Sequence, residues 1–158
     1  MNFNQHFMKP TKLIVAIVAT LMSTAALSAP AFAGDNKVYP GSNCKPNQET
    51  GTTGLYYGNA VDNLGTVARE VVCPVVRDDT IGGSANAQVY VNSNAVGCTL
   101  YSANVNGATY DSRTATGVAV SGVYRIDIPA VAQVSQGAYH IGCNLPSGTS
   151  VLQYSVGE

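Results

Sequence analysis

Few residues in this chain could do chemistry. Beyond the first 33 positions there is one histidine, His140 in "AYHIGCNL". A Ser-His-Asp hydrolase would need it in a fixed constellation, and no G-x-S-x-G accompanies it. On a strand it points away from Ile141 and Cys143, as an ordinary outward residue. Carboxylates are the next candidates: Asp78 and Asp79 open the polar loop "RDDTIGGSANA", and Asp62 ends a strand. Loop oxygens of this kind are Ca²⁺ donors, but the D-x-D-x-D-G order is absent. The plainer reading is solvated turn residues, with Asp78 and Asp79 kept as binding candidates. Two carboxylates used as in a glycosidase need only the right separation in space, so a small hydrolase is the weakest of three functional readings. No catalytic residue, metal ligand or cofactor is assigned.

Aromatic chemistry is concentrated in tyrosine. All three Phe and all three Met lie in the first 33 residues, Trp is absent, and every aromatic ring beyond them belongs to one of nine Tyr. The adjacent pair Tyr56-Tyr57 would send one ring to each side of a strand. If Leu55, Tyr57, Asn59 and Val61 share the inward face, Tyr57 is core and Tyr56 is free to stack on a sugar or a protein. A register slip of one residue would exchange them.

Four cysteines complete the inventory. "VGCTLYS" at 96–102 returns as "IGCNLPS" at 141–147, and in both phrases the aliphatic, Cys and Leu positions alternate with Gly and a polar residue. Each Cys therefore sits on the buried side of its strand. The wide spacing does not suit the close Cys pairs of structural zinc or the C-x-x-C of redox proteins. Disulfides are the simpler reading. Four cysteines allow three connectivities, and spacing alone does not choose among them. The matched surroundings favour Cys98–Cys143, which leaves Cys44–Cys73.

The elements that must position these residues follow an exported leader. Residues 1–33 show a basic start (Lys9, Lys12), an apolar run from Leu13 to Leu21 and a small-residue A-F-A ending, the layout of a signal peptide cut after Ala33. The run is about half of the ~20 residues a membrane span needs, so no membrane insertion is expected after cleavage. Of 158 residues, 125 then remain, enough for one domain. Six basic and nine acidic residues give that part a net charge of −3, with the basic ones scattered. Nucleic acid and anionic membrane surfaces both require a basic patch, so neither is an expected partner.

From Leu55 on, short β-branched and Tyr-containing runs are punctuated by Gly, Asn, Ser and Pro, with no helical period. Strands are expected over 55–61, 66–73, 88–92, 96–103, 108–112, 117–120, 123–128, 138–145 and 151–156. Asn106-Gly107 and Ser121-Gly122 are expected hairpin turns. Pro74 lacks a ladder donor and belongs at an edge, a strand end or a bulge. The fold class is all-β, a two-sheet antiparallel sandwich of jelly-roll or immunoglobulin-like type, over 55–158. Residues 34–54 are expected to form an extended N-terminal arm.

Together "YPGSNCKP", "VVCPVVRD", "VGCTLYS", "IGCNLP" and "LQYSVGE" resemble a group of small exported bacterial proteins that share a PGSxC start, a VVCPxxRD segment, later CxL and CxLP strands and a YxVxE ending. The resemblance implies the leader, the four-Cys frame and a β-rich domain, and it carries over no active-site residue. The expected role is a secreted or periplasmic, non-catalytic module whose partner is carbohydrate or cell-surface material. The alternative is a structural or assembling envelope subunit, although assembly by strand exchange needs a long alternating apolar N-terminal strand, which "GDNKVYPGSN" is not.

Overall fold

A computed structural model describes residues 36–47, 54–77 and 83–158. The leader lies outside these residues. The described chain holds twelve strands and one 3₁₀ turn: β1 (Asn36–Pro40), the turn Gly41–Asn43, β2 (Lys45–Pro46), β3 (Leu55–Tyr57), β4 (Val61–Asn63), β5 (Arg69–Pro74), β6 (Ser84–Val91), β7 (Gly97–Ala103), β8 (Thr109–Thr116), β9 (Val118–Val120), β10 (Val123–Ala132), β11 (Ala138–Leu145) and β12 (Ser150–Gly157). They form two antiparallel sheets. The first runs β3-β4-β12-β6-β10-β9, with β1 also on β12; the second runs β2-β5-β11-β7-β8.

Alternation makes the core, as the sequence predicts. Along β6, Ala85, Ala87, Val89 and Val91 are buried, and along β11 so are Tyr139, Ile141, Cys143 and Leu145. Between the sheets these meet Val61, Val71, Leu100, Ile126, Ile128, Val151 and Tyr154. The core is built mainly of valine and isoleucine, the residues whose branched side chains fit a pleated, half-buried surface. Tyr154 is its largest fully buried side chain; its ring stacks on Tyr39 (5.0 Å) and its hydroxyl donates to Pro74 O (2.7 Å), so a buried phenol has its partner. Pro74 ends β5, as its missing donor requires.

The repeated cysteine phrase has a geometric meaning. β7 and β11 are antiparallel neighbours with Cys98 directly opposite Cys143, Leu100 opposite Ile141, and each Gly opposite a polar residue (Gly97 with Asn144, Thr99 with Gly142). Two copies of one alternating phrase, run in opposite directions, match large to large on the core face. Cys98–Cys143 and Cys44–Cys73 are both disulfide-bonded, with Cα atoms 4.2 and 3.9 Å apart. In the chain-entropy account, each contributes about 4 kcal/mol.

The segment expected as an arm gives one strand to each sheet. β1 pairs with β12, β2 pairs with β5, and Cys44 lies between them. Its strands are too short and polar to announce themselves by periodicity. The single strand expected over 55–61 is two, β3 and β4, turned at Gly58–Ala60 and paired Leu55↔Asn63, Tyr57↔Val61. Tyr57 does share the face of buried Val61. It is nevertheless 38% exposed, because β3 ends its sheet among the described residues; the Lys45 ammonium lies 5.1 Å over its ring. The expectation of a core Tyr57 is thus corrected.

Ser121-Gly122 makes the expected two-residue hairpin, both residues at positive φ (48° and 87°). At Asn106-Gly107 only Gly107 is left-handed, and the β7–β8 connection is a five-residue loop closed by Asn104, whose backbone carbonyl accepts from the Gly107 N–H and whose side-chain Oδ1 accepts from the Ala108 N–H.

Strands β8 and β9 are one run of chain that turns a corner. β9 pairs with β10, then at Gly117 the run leaves β10, and β8 pairs with β7 of the other sheet. A Cβ on Gly117 would lie 2.9 Å from Tyr124 Cβ, so the corner has no room for a side chain. Asn63 ties the sheets elsewhere. Fully buried, it donates to Leu145 O (2.7 Å) and Val67 O (2.9 Å) and accepts from Gly65 N (3.0 Å).

Candidate functional site

The outward face of the five-stranded sheet follows from the same alternation. Glu70, Val72 and Pro74 on β5, His140, Gly142 and Asn144 on β11, Thr99 and Tyr101 on β7, and Ser112 and Thr114 on β8 lie in cross-strand rows: Pro74–His140–Tyr101–Ser112, then Val72–Gly142–Thr99–Thr114. Directly opposite residues share a face and touch. In the first row, the rings of Tyr101 and His140 stack at 4.8 Å with an interplanar angle of 15°.

Glycine at 142 allows this arrangement. A Cβ there would sit 3.1 Å from Tyr101 Cε2 and 3.6 Å from Glu70 Oε1. The tyrosine ring and the carboxylate therefore lean over the same bare stretch of backbone, and Gly142 is buried on an otherwise open face. Glu70 is held in turn by Asn47, whose Nδ2 donates to Oε2 at 2.8 Å. Beyond the rings, the Thr99 and Thr114 hydroxyls are hydrogen-bonded at 2.8 Å. Tyr110, the residue beside a bulge in the β7–β8 ladder, is well exposed.

Electrostatically the pair is close to neutral. Partial burial pulls the His140 imidazole below its usual 6.5, and the Glu70 charge pulls it partly back. Near neutral pH the ring stays uncharged, stacked on Tyr101. A planar aromatic pair beside a carboxylate, amides and hydroxyls can receive a ligand that has an apolar face and a hydroxylated rim.

The residues singled out from sequence fall in different places. His140 faces outward, as expected, but it is half-buried by its stack rather than isolated. Tyr56 is 58% exposed on the other sheet, paired with Asp62. Asp78 and Asp79 lie outside the described residues. Among the described residues no three of His, Cys, Asp and Glu gather as a metal site. Tyr101, Glu70 and Asn47 were missed because their grouping depends on which strands become neighbours. The one available signal was an outward Tyr101 within the first matched phrase and an outward His140 immediately before the second.

No family model and no curated protein matches the chain. Among solved structures it is similar to part of an Arthrobacter globiformis T6 isomalto-dextranase complexed with panose (13% identity, TM-score 0.46, over 77% of this chain and 23% of that one). It is also similar to part of a Podospora anserina GH26-CBM35 β-(1,4)-mannanase (9%, 0.47, 79% and 28%). A third similarity is to TmCBM61 in complex with β-1,4-galactotriose (9%, 0.38, 77% and 86%). The chain spans about a quarter of the length of the first two.

Proposed function

We propose that this protein is an exported, non-catalytic binding module that takes a saccharide on the outward face of its five-stranded sheet. The stacked Tyr101–His140 pair carries the reading. Two rings fixed against each other offer a rigid apolar surface at low entropic cost, and Glu70, Asn47 and the threonine hydroxyls stand where the rim of a sugar would need hydrogen bonds. Two fully buried disulfides support a place outside the cytoplasm, in the periplasm or beyond. Assembly by strand exchange has less support: of the four strands ending the two sheet paths, β2, β3 and β9 have two or three residues each, and the fourth, the eight-residue β8, is clasped to β10 through Asp111, so little edge is left to template pairing.

Affinity electrophoresis through gels containing dextran, galactomannan or mixed-linkage glucan tests the proposal. Retardation by at least one polymer is expected, weakened about tenfold in Tyr101→Ala by loss of ring stacking. Retardation that Tyr101→Ala and His140→Ala both leave unchanged, in variants with native circular dichroism, would overturn it.

A further inference from the structure

The outward face of the seven-stranded sheet is built differently. Two shallow hollows adjoin along β6 and β10. One, of about 390 Å³, is lined by Asn86, Gln88, Asp127 and Pro129 among others; the other, of about 300 Å³, by Tyr90, Val123, Leu152 and Gln153. Cross-strand register makes them neighbours: Gln88 faces Asp127, and Tyr90 faces Arg125 on one side and Gln153 on the other. A bulge at Leu152 turns an extra apolar side chain onto this face.

Charge limits what could bind. Between the hollows Arg125 Nε donates to Asp127 Oδ2 at 2.9 Å, so the acid lining the first hollow is already neutralised by its neighbour. What remains is side-chain amides, which both donate and accept, a tyrosine, and an apolar floor of Val123, Leu152 and Pro129. Sugar hydroxyls also donate and accept, while an ionic ligand would find no unpaired charge in the lining. Each hollow is at the small end of ligand pockets, fit for one ring rather than a larger molecule. Gln88 and Tyr90 are successive outward residues of one strand, so a ligand filling both hollows is a chain that runs along it.

We infer that this face is a second saccharide site, which takes two or more consecutive rings of a neutral chain. It does not rest on the Tyr101–His140 reading. The domain then carries sites on both of its outward faces and can bridge two chains. Tyr56, the outward ring singled out from sequence, belongs to this face: it is opposite Asp62, which is opposite Ser150 of β12.

Nuclear magnetic resonance titration of the exported, disulfide-bonded protein with maltohexaose, cellohexaose and mannohexaose tests the inference, with hexagalacturonate as the charged comparison. Backbone amides of Gln88, Tyr90 and Gln153 should shift with at least one neutral hexasaccharide, and Gln88→Ala with Gln153→Ala should weaken that binding about tenfold through two lost hydrogen bonds. Shifts confined to 97–101 and 140–144 would overturn this inference and leave the first site standing. Shifts confined to the amide-lined face would do the reverse. No shift with any neutral hexasaccharide overturns both, and tighter binding of hexagalacturonate overturns the neutral-chain assignment.

Discussion

Asp111 on β8 reaches Ala132 on β10: its Oδ2 accepts the Ala132 N–H at 2.9 Å. The position is not arbitrary, because the β9–β10 register, with Val118 opposite Arg125, would set Asp111 opposite Ala132 if the run had stayed on β10. The chain departs at Gly117 to join the other sheet, and a carboxylate replaces the ladder bond at the far end. One strand thereby closes the side of the sandwich.

That carboxylate should show in the acid limb of stability. The Ala132 N–H, with smaller help from the Ser112 N–H and the Arg113 guanidinium, holds Asp111 below its usual 3.8. A depressed folded pKa stabilises above the unfolded value and ceases to do so as pH falls through the folded one. Urea midpoints measured from pH 6 down to pH 2 should fall less steeply for Asp111→Ala than for the unmodified protein. Parallel curves would mean that the clasp contributes nothing.

Asn63→Ala should cost about 2–4 kcal/mol, since it leaves the buried carbonyl of Leu145 and the part-buried one of Val67 without this donor and opens the tie between the sheets. Chemical denaturation reads this directly. A loss under about half a kcal/mol, the level of ordinary surface changes, would show that water takes the amide's place.

Tyr57→Ala should cost about 1 kcal/mol, well short of the roughly 3 kcal/mol of a core ring, because the edge position leaves Tyr57 partly open under Lys45. Tyr56→Ala should stay within about half a kcal/mol. Thermal or urea unfolding of the two variants separates these values, and a Tyr56 loss equal to that of Tyr57 would contradict the exposed ring.

His140 gives a second pH signature. Burial lowers its folded pKa below 6.5, so the unfolded chain takes up a proton that the folded one resists. Its contribution is complete above pH 6.5 and is lost as pH falls from there through the shifted value. Resonances of the imidazole should titrate below 6.5, and His140→Phe, which keeps a ring beside Tyr101, should flatten that part of the stability curve. A midpoint at or above 6.5 would contradict the burial.

Much of the architecture was legible because strand alternation is a local property. "AQVYV", "GCTLY" and "HIGCNL" each state which side is buried without reference to a partner, and the doubled Cys phrase favoured its own pairing, since both copies place Cys between aliphatic neighbours on the buried side. The turn at Ser121-Gly122 was equally local. By contrast, Tyr57 was assigned to the right face and the wrong burial: the face depends on the residue's own strand, burial on whether another strand lies beyond it. The polar segment 36–46 became strand only because β12 and β5 offered open edges.

The residues of the two proposed binding faces come together only through the order of the strands in the sheets. Tyr101 and His140 are far apart in sequence, and so are Gln88, Asp127 and Gln153; each set is assembled by the order in which strands lie side by side. Outward residues are chosen by no core, so their sequence carries no period that would reveal their neighbours. Composition and local alternation were enough for an exported-type leader pattern, a β-rich domain and the inward face of most strands, and they favoured the cysteine pairs that the structure then fixed. The sheet order, fixed by hydrogen bonding between strands distant in the chain, decided which polar and aromatic groups share a surface and so what that surface can hold.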